Sequence, residues 1–344
     1  MAFLINYMSF IRTFKYSIFA LLLFALFSSC NNSPKTEKEK TASTTDLNLA
    51  ELNSDILKKP GSAQLYFQRA KIFLQKNVQN QAFSDLQTAT KIDSSNTEYL
   101  MLLGDVAFKS FQIKKTSDTF EKVVQLDPKN KEAYLKLAEL YFYIKGYQRC
   151  LLYTNEALKI DDKLVKAYSL RGFAYKEMGD TAKAVSSFNT VLDLLHDDYD
   201  TYIQLGNIYS VRTNPLALQY YNNALRLEPN STEAYYNRGL YYQNRGEVEK
   251  ATNDYLSIIK IDPSYADAFF NLGFINSVMK DNCKEAIPYY SSAIKTNDQY
   301  AEAYFNRGLC YEKLGDLNSA RKDFKATLGI IPTYKAAKLK LNKK

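Results

Sequence analysis

The chain is poor in the residues from which most catalytic, metal and cofactor sites are built. Its 344 residues include a single histidine, His196, and four cysteines with no CxxC pair and no zinc-like spacing. Ten of the 12 glycines recur at two fixed repeat positions, and the remaining Gly61 and Gly329 cannot form a glycine-rich phosphate loop. We therefore expect no enzyme activity, no cofactor, no metal and no small-molecule substrate.

Charge of one sign is also scarce over most of the chain. The formal net charge is +8 at pH 7, but Arg12 and Lys15 lie in the N-terminal segment, and five lysines follow Tyr334 without one acid. The rest of the chain is left with about +1. Nucleic-acid binding needs a basic stripe that neutralises phosphates, so we expect no nucleic-acid partner.

What the chain does have is a period of about 34 residues. Each period begins with one large residue, called its marker here, and a small residue follows the marker by four positions. A second small residue comes later in the period, and a bulky residue usually follows it by four positions. The markers are aromatic apart from one leucine: Tyr66, Leu100, Tyr134, Tyr168, Tyr202, Tyr235, Phe269 and Tyr304. A fixed period of this length indicates a stack of small units, each of which covers the apolar face of its neighbour.

Each unit reads as two helices. Apolar and small residues at i, i+3, i+4 and i+7 predict one helix over residues 234–244 and a second from about 248 to 260. Large and small residues alternate, which predicts that the two backbones approach closely at the first small position. Glycines are expected at the left-handed stop between the helices, at Gly146, Gly179, Gly246 and Gly315. No stretch alternates like a strand, so the predicted fold is all α.

Two stretches carry the pattern most fully: AYYNRGLYYQNRGEVEKATNDYLSIIKIDP and AYFNRGLCYEKLGDLNSARKDFKATLGIIP. They resemble the tetratricopeptide repeat (TPR) family, which implies an α-solenoid superhelix of about eight helix-turn-helix units. We place an array at 61–334 and a basic capping helix at 335–344. The units are 63–96, 97–130, 131–164, 165–198, 199–231, 232–265, 266–300 and 301–334. The fifth unit is one residue short near 213–215, and the seventh is one residue longer near 281–284.

The N-terminus resembles an export signal. Residues 1–29 contain Arg12 and Lys15 followed by the apolar run 16–27, and these twelve residues are too few to cross a hydrocarbon core, which needs about 20. The sequence Leu26-Phe27-Ser28-Ser29-Cys30 resembles the lipobox of bacterial lipoproteins, which implies a lipid on Cys30. Ordinary secretion and an uncleaved anchor stay open as alternatives, as does a start at Met8.

Residues 30–60 connect this signal to the repeats. The polar stretch 31–45 predicts a disordered tether, and residues 47–59 predict a short leading helix on Leu49, Leu52 and Ile56. The lipoprotein resemblance implies a chain held by its lipid at a membrane of the bacterial cell envelope. By the sorting pattern of such lipoproteins, the lack of Asp after Cys30 favours the outer membrane.

The TPR resemblance also implies a partner-binding face, because positions five, six and nine of the first helix line the concave groove in that family. The candidate residues are Gln204, Tyr236, Asn237, Leu240, Phe270, Asn271, Phe274, Phe305, Asn306 and Leu309. Amides both donate and accept hydrogen bonds, so a row of them could hold an extended peptide while the aromatics bury its side chains. The alternative is that asparagine merely suits an exposed helix face and that Tyr236, Phe270 and Phe305 pack between repeats.

From these patterns we expect a non-catalytic scaffold of the cell envelope that is held at the membrane and binds protein or peptide partners. The alternative is a secreted or periplasmic accessory factor for a cell-wall enzyme or surface machine, with self-association as its main role. A chaperone-tail clamp, known in the family, needs lysine at position five of an early unit. That position instead holds Phe67, Met101, Leu135, Ser169 and Ile203.

Overall fold

The computed structural model describes residues 48–342, and over that range the backbone forms helices joined by turns, with no strand. The predicted all-α fold is therefore confirmed. The predicted signal peptide, Cys30 and the predicted tether lie outside the described residues. The first described element, α1, is helical from residue 48 to residue 58.

Sixteen helices between residues 63 and 330 form eight pairs of consecutive helices, and a last helix follows them. The pairs are α2 Ala63–Gln75 with α3 Gln79–Ile92, α4 Thr97–Lys109 with α5 Ile113–Leu126, α6 Lys131–Tyr143 with α7 Tyr147–Ile160, α8 Val165–Glu177 with α9 Thr181–Leu195, α10 Tyr199–Ser210 with α11 Leu216–Leu227, α12 Thr232–Asn244 with α13 Val248–Ile261, α14 Ala266–Phe274 with α15 Cys283–Thr296, and α16 Ala301–Lys313 with α17 Leu317–Ile330; the last helix is α18 Lys335–Asn342.

The chain divides into two compact units, one ending at Tyr99 and one beginning at Leu100. In the first unit, Phe67 of α2 is buried, and its ring centroid lies 4.5 Å from that of Tyr99. Arg69 of α2 donates to both carboxylate oxygens of Asp85 on α3, at 2.7 and 2.6 Å, and to Asn53 of α1 at 2.8 Å. These bonds join the three helices of that unit.

In the second unit, the two helices of a pair meet where an aromatic ring lies over a glycine. A Cβ placed on Gly206 of α10 would stand 2.5 Å from Cε1 of Tyr221 on α11. The sequence predicted a close approach of two backbones at this position, and that reason is wrong, because the neighbour is a ring. The pairs are Gly104–Phe120, Gly172–Phe188, Gly206–Tyr221, Gly239–Tyr255, Gly273–Tyr290 and Gly308–Phe324.

Two pairs have alanine and not glycine at this position, and they follow the same geometry. Ala138 stands at the glycine position of its pair, and the residue sixteen places later is the small Thr154. In the first unit, Ala70 is likewise followed after sixteen residues by Leu86, which is not aromatic. Both alanines are fully buried. Glycine therefore occurs where the second helix brings a ring, and alanine occurs where it does not.

The turn inside each pair has one residue with a left-handed backbone. The eight residues are Asn77, Phe111, Lys145, Gly179, Thr213, Gly246, Asp281 and Gly315. The prediction that Gly146 fills this role is wrong, because Gly146 has φ −79° and Lys145 has φ 60°. The N–H of Gly146 donates to the carbonyl of Tyr141 at 2.7 Å, and that of Lys145 to Phe142 at 3.0 Å. This is the Schellman arrangement, in which the left-handed residue is the one before the longer-range donor.

The extra residue of the seventh unit lies earlier than predicted. Residues Ile275–Met279 form a π-helical turn at the end of α14, and the N–H of Lys280 donates to the carbonyl of Ile275 at 3.0 Å. A π-turn adds one residue inside a helix without opening it. The insertion is therefore absorbed before the turn and not at 281–284. After the last pair, α18 buries Ala337 against Ala320 and Phe324 of α17.

Candidate partner-binding face

The predicted amides occupy equivalent places on four first helices. Gln204, Asn237, Asn271 and Asn306 are the sixth residues of α10, α12, α14 and α16. The residues at positions five and nine are one helical turn apart, so they share one side of each helix. The candidates at each of these positions are therefore equivalent from one pair to the next.

The three predicted aromatics contact other rings of the array. Each lies between a ring on the second helix of its own pair and the tyrosine that directly precedes the next helix. The centroid distances are 6.2 and 5.8 Å from Tyr236 to Tyr255 and Tyr265, 5.7 and 5.0 Å from Phe270 to Tyr290 and Tyr300, and 5.6 and 5.0 Å from Phe305 to Phe324 and Tyr334. This repeated packing favours the alternative that these rings join neighbouring repeats.

The remaining apolar candidates are partly accessible. Leu240 packs against the cluster that contains Tyr255 and Leu272, and Leu309 packs against the cluster around Phe324. Phe274, the last residue of α14, is half-buried. These side chains therefore leave part of their apolar surface to solvent beside the amide positions.

The four amides differ in their surroundings. Asn237 and Asn306 are half-buried, and Nδ2 of Asn306 donates to the carbonyl of Glu302 at 2.8 Å. Asn271 is only 6% exposed, and its Nδ2 has no hydrogen-bond partner among the described residues. Gln204 accepts a hydrogen bond from Nζ of Lys176 at 2.5 Å. Asn271 is thus buried and Gln204 is bonded to another helix, which leaves Asn237 and Asn306 as the half-buried amides with no bond to another helix among the described residues.

Carboxylates stand one helical turn before these amides, at the second residue of each helix. They are Asp200, Glu233, Asp267 and Glu302. Burial raises the pKa of Glu233, and the charge of Asp200 raises it further. Burial raises the pKa of Asp200 as well, followed by the charge of Asp198. Asp267 accepts a hydrogen bond from the Tyr300 hydroxyl at 2.6 Å. Acceptor groups and amides therefore alternate along this side of four consecutive first helices.

Sequence reasoning missed a second repeated constellation, an arginine held by a buried aspartate. Arg238 donates to both carboxylate oxygens of Asp254 at 2.9 and 2.6 Å, and Arg307 does the same to Asp323, with both distances 2.8 Å. The hydrogen bonds with Asp323 raise the pKa of Arg307. Such two-point pairs are stronger and more directional than a single ionic contact.

The third contact of each arginine reaches the preceding pair. Nη1 of Arg238 donates to Asn222 of α11 at 2.6 Å, and Nη1 of Arg307 donates to Ser291 of α15 at 2.9 Å. Each arginine therefore links three helices and has a structural role. The signal was present in the sequence, because Arg69, Arg238 and Arg307 each precede an aspartate by 16 residues.

The described residues offer no other obvious chemical centre. Between residues 48 and 342, no three His, Cys, Asp or Glu side chains converge in a way that could hold a metal ion. In that same range, the helices are too short or too polar to traverse a bilayer. Cys150, Cys283 and Cys310 are buried free thiols. Burial raises the pKa of Cys150 to about 12.

Comparison with models of known protein families gives a match that covers most of the chain. The family model described as the ETO1 C-terminal domain matches residues 46–344, which is most of the chain.

Two curated proteins are similar to parts of the chain. Stress-induced-phosphoprotein 1 of Caenorhabditis elegans is 25% identical over 201 residues, which cover 48% of this chain and 63% of that protein. Hsp70-Hsp90 organizing protein 3 of Arabidopsis thaliana is 23% identical over 225 residues, which cover 54% of this chain and 40% of that protein. The chain thus spans less than two thirds of either relative.

Solved structures show the same helix-pair fold. The C-terminal part of a TPR repeat-containing protein from Cytophaga hutchinsonii has a TM-score of 0.62 and 19% identity, and the match covers 72% of this chain and 100% of that one. A tetratricopeptide repeat protein from Parabacteroides merdae has a TM-score of 0.54 and 18% identity, with 71% and 97% covered. At these identities the similarity is evidence of fold, and it confirms the predicted TPR solenoid class.

Proposed function

Because the chain belongs to the family described as the ETO1 C-terminal domain, whose repeats are TPR-like, we propose that it is a membrane-tethered scaffold of the bacterial cell envelope. Its general type is the TPR protein, an interaction scaffold that holds other proteins. In our proposal, the partner is a protein segment or peptide in extended conformation. It binds along the first helices of the last four pairs, and the chain catalyses no reaction.

One observation carries this proposal: a carboxylate and an amide recur one turn apart on four consecutive first helices. The pairs are Asp200 with Gln204, Glu233 with Asn237, Asp267 with Asn271, and Glu302 with Asn306. An extended peptide presents backbone N–H and C=O groups along its length, and each must find a partner when it is covered. Carboxylates accept from N–H groups, and amides can serve either group. The repeated face can therefore bind backbone without demanding one sequence.

The relatives support a role in bringing proteins together but do not supply the partner. One of them is named an Hsp70-Hsp90 organizing protein. This chain has no lysine at position five of its early units, where Leu135 and Ser169 stand instead. We therefore propose the organizing role as a class and leave the chaperone tail out of it.

The membrane part of the proposal depends on Cys30. A single acyl chain binds a membrane only marginally, whereas two or more chains hold firmly, since each buried CH₂ adds about 0.8 kcal/mol. The polar stretch 31–45 would then separate the repeats from the lipid. A fatty acid with an alkyne tag should label the chain in cells, and Cys30→Ser should abolish the label and release the chain from washed membranes. Full labelling of the Cys30→Ser chain would refute the tether.

Partner binding is tested by replacing the two accessible amides. We expect Asn237→Ala with Asn306→Ala to reduce partner capture at least fivefold in a crosslinking pull-down from membranes, about 1 kcal/mol for two lost hydrogen bonds. The melting temperature should stay unchanged, because neither side chain bonds to another helix among the described residues. Asn271 is left intact because it is buried.

The matched control replaces Asn253 and Asn318 by alanine. Both are exposed, and they lie on the second helices α13 and α17. This control should capture partners as the native chain does. If the two double variants behave alike, the first-helix face is not the binding site.

A further inference from the structure

The turns inside the second, third and fourth pairs expose large apolar side chains. Phe111 is 68% exposed, Tyr143 48%, Ile144 41% and Met178 40%. All four lie at the end of a first helix or within two residues after it, where the chain turns toward the second helix. We call these residues, together with the nearby Lys109, Lys114, Lys115, Lys145 and Arg149, the turn edge. Soluble surfaces seldom expose several large apolar groups together, so such a patch indicates an interaction.

The exposed residues form one continuous strip. The ring centroids of Phe111 and Tyr143 are 6.1 Å apart, and Ile144 follows Tyr143 directly. An open depression lined by Ile144, Arg149 and Met178 continues the strip to the next pair. The strip therefore crosses three consecutive helix pairs.

Two residues of the turn edge occupy backbone positions that favour glycine. Phe111 has φ 56° and Lys145 has φ 60°. The same turn position holds glycine in three pairs and the smaller Asn77, Thr213 and Asp281 in the other three. A bulky residue in the left-handed region is a genuine outlier, and outliers of this kind cluster at functional sites. The Phe111 ring lies against the half-exposed ring of Tyr143 and is itself mostly exposed to solvent. The ring is therefore available for a contact outside the fold.

Positive charge predominates around the strip. Lys109, Lys114, Lys115 and Lys145 form no ion pair with another described residue, and Arg149 donates to the Tyr141 hydroxyl at 2.7 Å. Residues 109–118, 143–149 and 176–183 contain seven basic residues and three acids, Asp118, Glu177 and Asp180, and Asp180 is paired with Lys183. Most of the chain is close to neutral, so this concentration is local.

We propose that the turn edge is a docking surface for an anionic lipid bilayer. Protruding aromatic and aliphatic side chains enter the boundary between headgroups and acyl chains, and lysines bind the anionic headgroups beside them. The charge complementarity selects an anionic surface over a neutral one. This inference rests on the proposed membrane tether, because the tether keeps the array close to a bilayer. Docking of the turn edge would fix the direction in which the partner-binding face points.

The test uses the full chain with Cys30→Ser, so that lipid attachment cannot contribute. An environment-sensitive fluorophore is placed at Gln112→Cys on the turn edge, or at Gln299→Cys, which is also an exposed glutamine and lies in the turn between α15 and α16. The native thiols are buried and will not compete for the label. With phosphatidylglycerol-containing vesicles, the label at 112 should shift to the blue and be quenched by a spin-labelled lipid, while the label at 299 should not respond.

Two variants divide the apolar and basic contributions. Phe111→Gly removes the ring and supplies the residue that the left-handed backbone prefers, so the chain should fold and the response at 112 should fall at least fivefold. Replacing Lys114, Lys115 and Lys145 by glutamine should raise the lipid concentration for half response by about a hundredfold.

Three results would overturn the proposal. The first is an equal response of the labels at 112 and 299, and the second is an equal response of the label at 112 to pure phosphatidylcholine vesicles. The third is no response to any vesicle but a shift when polyglutamate is added, which would assign the turn edge to an acidic protein partner. Because Cys30 is replaced throughout, any of these would leave the fatty-acid labelling test of the tether unaffected.

Discussion

The contact between glycine and ring can be tested with one substitution, glycine to alanine, at three helical sites. At Gly206, the added Cβ would lie 2.5 Å from Cε1 and 2.7 Å from Cδ1 of Tyr221. At Gly239, the nearest ring atom is 3.0 Å away, and at Gly329 nothing lies within 4 Å. Carbon atoms are most stable about 3.5–4.0 Å apart, so the three sites form a graded series of overpacking.

The expected free energies follow from two opposing effects. Alanine in place of helical glycine adds about 0.5–1 kcal/mol of stability, and overpacking costs about 1–3 kcal/mol. The Tyr221 ring cannot move aside easily, because it is 1% exposed and its hydroxyl donates to Asn207 at 2.9 Å. We therefore expect Gly206→Ala to destabilise the chain by about 1–2 kcal/mol. Gly239→Ala should be close to neutral, and Gly329→Ala should stabilise by about 0.5 kcal/mol.

Urea unfolding followed by circular dichroism measures all three differences. A second substitution, Tyr221→Leu, removes the ring and should make Gly206→Ala less costly, with a coupling of about 1 kcal/mol or more in the double-mutant cycle. If Gly206→Ala stabilises the chain as much as Gly329→Ala does, the ring does not set the glycine requirement.

Three further outcomes are expected. Arg307→Lys should destabilise the chain by about 1–2 kcal/mol, because lysine cannot replace the two-point contact with buried Asp323. The control Arg321→Lys, at an exposed position of α17, should not change the stability. Equal urea midpoints for the two variants would contradict the prediction. Glu233→Gln should raise the melting temperature at pH 7, because burial raises the pKa of Glu233 above its ordinary 4.5 and folding then disfavours its charged form. The gain should vanish as the pH falls below 4.5, where the native carboxyl is protonated in both states; a gain that is constant with pH would contradict it. In the Cys30→Ser chain, a thiol reagent at pH 8 should find no reactive group until urea is added, because burial raises the pKa of Cys150 and Cys310 to about 12; rapid reaction of the native chain would count against buried thiols.

The helix pairs could be predicted because periodicity records which residues must be covered. The predicted helices at 234–244 and from about 248 to 260 correspond to α12 and α13, which are Thr232–Asn244 and Val248–Ile261. The turns were harder, since the left-handed residue is set by its distance from the helix end and not by residue type. Lys145 therefore holds the position that the sequence assigned to the neighbouring Gly146.

The partner-binding face could be predicted only as positions on helices. Spacing placed Asn237, Asn271 and Asn306 on equivalent turns, but the partners of a side chain depend on the neighbouring pair. Thus Lys176 of α8 bonds to Gln204 of α10, and burial of Asn271 could not be read from its own helix. The arginine–aspartate pairs, in contrast, follow a constant spacing of 16 residues and were open to prediction.

The most direct test of the account places a photocrosslinking amino acid at four positions in turn. Asn237 and Asn306 lie on the first helices α12 and α16, and Asn253 and Asn318 are exposed on the second helices of the same two pairs. On illumination of intact cells, we expect the first two positions to capture a protein partner and the other two to capture none. Capture from Asn253 and Asn318 alone would contradict a partner bound along the first-helix face.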